Sequence, residues 1–295
     1  MAKLIFGCGY LGRRVADRWL AAGETVHVVT RSAARADSLR AQGLLSIVAD
    51  VVRPASLVGL PVADTVLFAV GYDRTAGESI RKVYVDGLAN VLAALSPDTG
   101  RFIYISSTGV YGQTGGQQVD ETSECLPVRE GGHACLDAER LLSAHPLGSR
   151  AITLRLAGIY GPGRIPSRQQ LAAGQPLAVP ADGCLNLIHV DDAASVVLAA
   201  ELRAPLPRLY VVSDGQPVER RSYYEELARL VGAAPPRFAG APPGSEALAR
   251  SASDKRIDNA RMRVELAVHL AYPSYREGLA QVVAAGESAD DAATN

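Results

Sequence analysis

Apolar and polar positions change period again and again along the first half of the chain. Lys3-Leu4-Ile5-Phe6 is a short strand-like run, and Leu11 to Ala22 then places apolar residues at helical spacing until Gly23. Thr25 to Thr30 (TVHVVT) predicts a second strand, and Ala33 to Gln42 a helix closed by Gly43. Leu45 to Ala49, Thr65 to Val70 and Phe102 to Ile105 predict further strands, with a long helix from about Glu78 to Leu95 before the last. Short apolar runs alternating with helical stretches imply an α/β fold, a doubly wound parallel sheet with helices on both faces.

After a sixth strand, Ile152 to Leu156, the pattern breaks up. Glycine and proline crowd GIYGPGRIPSR and AAGQPLAVPADG, and the later segments are irregular. This predicts a nucleotide-binding domain over 1–157, its sheet completed by about 187–212, with Leu209 to Val212 returning to it. Residues 158–186 and 213–285 are left for a smaller substrate lobe, and 286–295 for a frayed tail. Two Pro-Pro pairs mark 232–252 as a loop or lid.

Gly7-Cys8-Gly9-Tyr10-Leu11-Gly12 follows the first strand and opens the first helix. The first glycine permits a tight turn, the second lets a pyrophosphate approach the backbone, and the third lets helix and strand pack closely. The helix N-terminus then presents amides to the anion, so the loop predicts a dinucleotide. About 20 residues on, a carboxylate would accept from the 2′-hydroxyl of NAD. Here stand Thr30-Arg31-Ser32 and Arg35. A guanidinium fork suits a 2′-phosphate, so NADP(H) is expected, with NAD possible; the alternative is that Arg31 is a solvated loop residue. Asp50 and Val51 are placed near the adenine, or Asp50 is a cap, and Ala69-Val70-Gly71 against the adenine ribose.

Composition narrows the class. The net charge of −1 gives no basic field for nucleic acid. Cys8, Cys125, Cys135 and Cys184 are scattered and the five histidines do not cluster, so reduced thiols in a cytoplasmic protein and no metal are expected. No signal peptide and no membrane span are read.

With YISSTGVYG (104–112), LRLAGIYGPGR (154–164), NLIHVDDAASVV (186–197) and YPSYREGL (272–279), the glycine loop makes five ordered blocks. Together they resemble the extended short-chain dehydrogenase/reductases, the NAD-dependent epimerase/dehydratase family, over about residues 3 to 283. The resemblance implies a Rossmann domain with a C-terminal substrate lobe and chemistry at a nicotinamide between them. It implies that Ser107 hydrogen-bonds the reacting oxygen, with Thr108 adjacent and Ser106 at the cofactor, and that Ala157, Gly158 and Ile159 lie near the carboxamide. It implies a structural, helix-capping role for His189-Val190-Asp191-Asp192.

The chain departs from that family where protons move. A tyrosine and, four residues on, a lysine belong on the helix after the fifth strand; anchored on Ala138-Glu139, those positions hold Gly131 and Cys135. The only lysines are Lys3, Lys82 and Lys255, so the loss does not depend on the register. Proton transfer worth about 10²–10⁴-fold must come from elsewhere. His133, Tyr111 and Tyr72 are candidates, each with a structural alternative, and Cys135 is a weaker one as a nucleophile. Two readings follow: an oxidoreductase or epimerase for a small carbonyl or sugar-type substrate, or a catalytically silent NADP(H)-binding sensor or partner-binding module. UDP-sugar chemistry would draw on Arg164, Arg168, Arg237 and Arg250, and a homodimer through 79–96 and 130–145 is possible.

Overall fold

The computed structural model describes residues 1–242, 244, 248 and 254–286. The expected tail from 287 onward, Arg250 and most of the second half of the 232–252 loop lie outside the described residues.

The chain opens with β1 (Ala2–Phe6), α1 (Tyr10–Ala21), β2 (Thr25–Thr30), α2 (Ala33–Arg40), β3 (Leu45–Val48) and β4 (Thr65–Phe68). There follow α3 (Gly87–Ala94), β5 (Arg101–Ser107), β6 (Gln117–Val119), α4 (Glu130–Ala144), β7 (Ala151–Leu156) and β8 (Gly158–Tyr160). Beyond these lie α5 (Arg168–Ala172), β9 (Cys184–Leu185), β10 (Leu187–His189), α6 (Val190–Arg203) and β11 (Arg208–Val212). The last labelled pieces are β12 (Val218–Glu219), α7 (Arg220–Leu230) and β13 (Lys255–Ile257), before helices Ala260–Leu266 and Tyr275–Ala284.

Seven strands form one parallel sheet in the order β11-β7-β5-β4-β1-β2-β3. Its central strands are apolar without alternation because both faces are covered: all six residues of β7 and all four of β4 are buried. Successive side chains point to opposite faces. Ile5, Leu67, Ile103 and Ile152 meet α1 and α6, while Leu4, Phe6, Val66, Phe68 and Phe102 meet α3 and α4. On the second face Phe68 sits 6.2 Å from Phe6, 6.5 Å from Phe102 and 6.0 Å from Tyr104, ring centre to ring centre.

The long helix expected from about Glu78 to Leu95 starts at Ile80 and carries a π turn, Lys82–Asp86, before α3. Gly87 follows directly; a methyl group there would meet Val51 Cγ2 at 2.9 Å, so glycine lets α3 touch the loop after β3. A separate core of Tyr160, Leu171, Leu177, Tyr223, Leu227 and Leu279 holds the smaller lobe. That lobe is stitched back by the parallel pairs β8–β10 and β13–β6, the second joining residues more than 130 positions apart through Lys255 opposite Gln117. Strand order reverses between β1 and β4, and such a switch point opens a crevice at the carboxyl ends of the strands.

Candidate active site

Gly7 leaves β1 at φ +91°, and a Cβ there would lie 2.4 Å from the Ala69 carbonyl oxygen. Only glycine lets the exits of β1 and β4 pass this closely. A Cβ on Gly12 would lie 2.2 Å from Gly7 O, whereas one on Gly9 would meet nothing within 4 Å. Gly9 is also the N-cap of α1 and supplies no capping side chain, so the first α1 amides suit an anion. Leu11 is buried behind the loop, and Tyr10 lies under the guanidinium groups of Arg14 and Arg164, 4.6 and 5.4 Å from its ring centre.

No carboxylate ends β2. Arg35 Nη2 donates to Cys8 O at 2.9 Å, setting a cation against the glycine loop, and its amide is capped by Ser32. Arg31 is 54% exposed and pairs with Asp73 at 3.1 Å. Asp50 Oδ1 accepts from Val52 N at 3.1 Å, which makes it a turn former as well as a loop residue. Val51 is buried, and its carbonyl accepts from Asn90 Nδ2 at 2.9 Å, a brace from α3 that no local sequence signal marks. Past Ala69 and Val70, a Cβ on Gly71 would again meet nothing within 4 Å. A loop closed behind by Gly7 and Gly12, open at Gly9 and Gly71, and flanked by Arg31 and Arg35 fits a dinucleotide with its adenosine end over β2.

Ser107 ends β5, and its Oγ accepts from Gly109 N at 3.0 Å. That uses the acceptor side of the hydroxyl and leaves its O–H to donate. Thr108 is buried in the 3-10 turn that follows. Ser106 is spent internally: its hydroxyl donates to Glu139 Oε1 at 2.5 Å. Gly158 is exposed at the start of β8, with its amide donated to Asn186 O at 2.9 Å, and Ala157 is buried beside half-buried Ile159.

Each of the three expected proton donors has a position of its own. Tyr111 is 1% exposed; its hydroxyl donates to Asp120 O at 2.7 Å and accepts from Arg155 Nη1 at 2.5 Å. Burial above all lifts its pKa to about 12. Arg155 also forks onto Glu139, with Nη2 to Oε2 at 2.6 Å, so Tyr111 belongs to a buried network. His133 is exposed on α4, about 200° around the helix from the shared face of Gly131 and Cys135. Tyr72 donates to Glu78 O at 3.0 Å and shapes the loop after β4.

At Gly131, where the sequence register puts the tyrosine position, a Cβ would meet Ile80 Cδ1 at 3.3 Å. Cys135, where the same register puts the lysine position, is buried, and burial together with Glu139 pushes its thiol up to about 12; it is neutral and no nucleophile near pH 7. His189, rather than the aspartates, caps α6, its Nδ1 accepting from Asp191 N at 3.3 Å. Asp191 pairs with Arg14, and Asp192 accepts from the amides of Ala271 and Tyr272. The arginines considered for a diphosphate are dispersed: Arg164 lies over Tyr10, and Arg237 donates to Gly174 O. Arg129, which the sequence did not mark, lies beside the open space at Gly109 that Ser107 Oγ also borders, and Lys255 Nζ donates to Tyr111 O at 2.8 Å.

The NAD dependent epimerase/dehydratase family model matches residues 4–213. With that match over most of its length, the chain belongs to this family of extended short-chain dehydrogenase/reductases, whose cofactor is a nicotinamide dinucleotide. It is similar to Protein YeeZ of Escherichia coli (strain K12), 34% identical over 182 residues, which spans 61% of this chain and 62% of that protein. It is similar to a 2-alkyl-3-oxoalkanoate reductase of Stenotrophomonas maltophilia, 25% identical over 247 residues, 77% of this chain and 74% of that one. Among solved structures, a protein of Methylobacillus flagellatus provisionally assigned as an NAD-dependent epimerase/dehydratase is 32% identical, with TM-score 0.76 over 97% of this chain and 98% of that chain. Among the described residues no helix is long and apolar enough to cross a membrane.

Proposed function

We propose that the protein is an NADP(H)-dependent oxidoreductase or epimerase acting on a small carbonyl or sugar-type substrate above Ser107. The observation that carries this reading is the position of Ser107, at the carboxyl end of β5 on the same sheet edge as the glycine loop, with its O–H left to donate. The name of the Stenotrophomonas relative, a 3-oxoalkanoate reductase, supports a ketone as the reacting group. Arg31 and Arg35 support a 2′-phosphate on the cofactor.

Gly7, Gly9 and Gly12 with the α1 amides would hold the pyrophosphate, and the backbone at Ala157 to Ile159 the nicotinamide end. The dinucleotide supplies or removes a hydride when bound. Ser107 donates to the carbonyl oxygen and orients it, and with Tyr111 and His133 directed elsewhere, its hydroxyl passes a proton between that oxygen and cleft water. A homodimer is proposed through the apolar groove between α3 and α4, about 310 Å³, lined by Ala89, Leu92, Ala93, Leu141, Ala144 and His145.

Gly131 and Cys135 favour a second reading, binding of NADP(H) without turnover. Following NADPH oxidation with a panel of ketones, β-keto acids and nucleotide sugars separates the two. Turnover that Ser107→Ala abolishes supports the enzyme; no turnover with any of them, alongside tight NADPH binding, supports the sensor.

A further inference from the structure

Arg31 is held from the other side of the cofactor crevice. In the sheet β1 lies between β2 and β4, and neighbouring strands stand about 4.8 Å apart, so the exits of β2 and β4 are roughly 10 Å from each other. Arg31 directly follows β2, and Asp73 lies in the loop after β4. Their ion pair, Nη2 to Oδ2 at 3.1 Å, therefore links the two strand ends that flank the glycine loop of β1. Only a side chain as long as arginine makes that span.

Asp73 is fixed in place without Arg31. Its Oδ1 accepts from Thr75 N at 2.9 Å and from Thr75 Oγ1 at 2.6 Å, capping the 3-10 turn Arg74–Ala76 that Gly77 ends at φ +76°. Tyr72 before it is fastened to Glu78 O and stands edge-on to Tyr84, 6.5 Å between ring centres. The Thr75 bonds, and after them Arg31, hold the Asp73 carboxyl below its usual range, so it is charged at neutral pH. Oδ1 serves the turn and Oδ2 serves Arg31, so the guanidinium can leave while the loop keeps its shape. Both side chains of the pair are open to solvent, and such a pair shifts an equilibrium by only a few-fold.

We propose that Asp73 sets the cofactor specificity of this pocket by competing with the 2′-phosphate of NADP(H) for Arg31. A phosphate monoester carries close to two negative charges and can take both arms of the guanidinium fork, so it displaces a carboxylate that gives Arg31 one oxygen. The 2′-hydroxyl of NAD(H) makes no such claim, and with that dinucleotide the Arg31–Asp73 pair persists. With NADP(H) the guanidinium turns from Asp73 to the phosphate, while Asp73 stays on Thr75. The carboxylate thus narrows the preference that Arg31 creates. This inference rests on the NADP(H) reading of the site and names the residue that tempers it.

The test is fluorescence titration of the full chain, of Asp73→Asn, of Arg31→Gln and of the double variant, with NADPH and with NADH. Asparagine keeps a side-chain oxygen for the Thr75 cap, so the loop is retained. The expected result is that Asp73→Asn binds NADPH about two- to fivefold more tightly and NADH within about 1.5-fold of the unchanged chain. In the Arg31→Gln background the same change is expected to move NADPH by less than about 1.5-fold, because the gain acts through Arg31. NADPH affinity indifferent to Asp73→Asn overturns the proposal and leaves the NADP(H) reading standing. An equal gain for both dinucleotides overturns it as well, since the pair would then be a plain bar across the pocket. So does a loss confined to NADH, which would make Asp73 an acceptor for the ribose. Binding of neither dinucleotide by the unchanged chain removes the NADP(H) reading and the proposal with it.

Discussion

Ser107 carries the chemistry proposed here through one hydrogen bond it can still donate. Ser107→Ala is expected to lower the turnover number by about 10²–10³ while NADPH affinity stays within a factor of about two, because the hydroxyl serves the reacting oxygen. Rate and affinity measured on the same preparation check this. Gly7 carries binding rather than chemistry. Gly7→Ala forces a Cβ to within 2.4 Å of Ala69 O at φ +91°, so it is expected to abolish cofactor binding in titration with the fold retained by circular dichroism.

Asp214 sets a pH dependence. It is 6% exposed, its Oδ2 has no hydrogen-bond partner among the described residues, and burial lifts its pKa to about 7. The unfolded value is about 3.9, so between these values the folded chain keeps a proton the unfolded chain has lost. The stability this contributes is full below about pH 4 and is lost as pH rises through about 7. Asp214→Asn, neutral throughout, is expected to flatten that fall in urea melts between pH 4 and 8; an unchanged slope contradicts the assignment.

The elements were legible where local chemistry wrote them. Strand, glycine loop and helix follow from GCGYLG because turn, close approach and packing each need a missing side chain. The β5 end follows from YISSTGVYG, since its serines mark a strand exit. The role of α4 was not legible, because it depends on partners from other strands. Glu139 meets Arg155 from β7 and Ser106 from β5, and that meeting turns Tyr111 and Ser106 into members of a buried network. Arg155→Met leaves the Glu139 carboxylate buried without its cation and is expected to cost about 3–5 kcal/mol in urea unfolding. Glu139→Met added to it is expected to recover most of that loss, and a strictly additive double variant would contradict the pairing.

At the scale of the molecule, the doubly wound parallel sheet was readable from period and block order, and the family comparison agrees with that reading. The contact of Lys255 with the Tyr111 carbonyl was not, since it forms only when β13 pairs with β6, a pairing with no local signature. The cofactor preference lies between these cases. Arg31 and Arg35 could be read in sequence, and Arg35 is held against the glycine loop, but Arg31 is shared with Asp73.

The measurement that bears most directly on the whole account is fluorescence titration of the purified chain with NADPH and with NADH, beside Arg31→Asp. The expected result is NADPH bound roughly tenfold or more tighter than NADH, with the preference lost in Arg31→Asp. Binding of neither dinucleotide would contradict the account, because the glycine loop would then be packing alone and Ser107 would have no hydride to work beside.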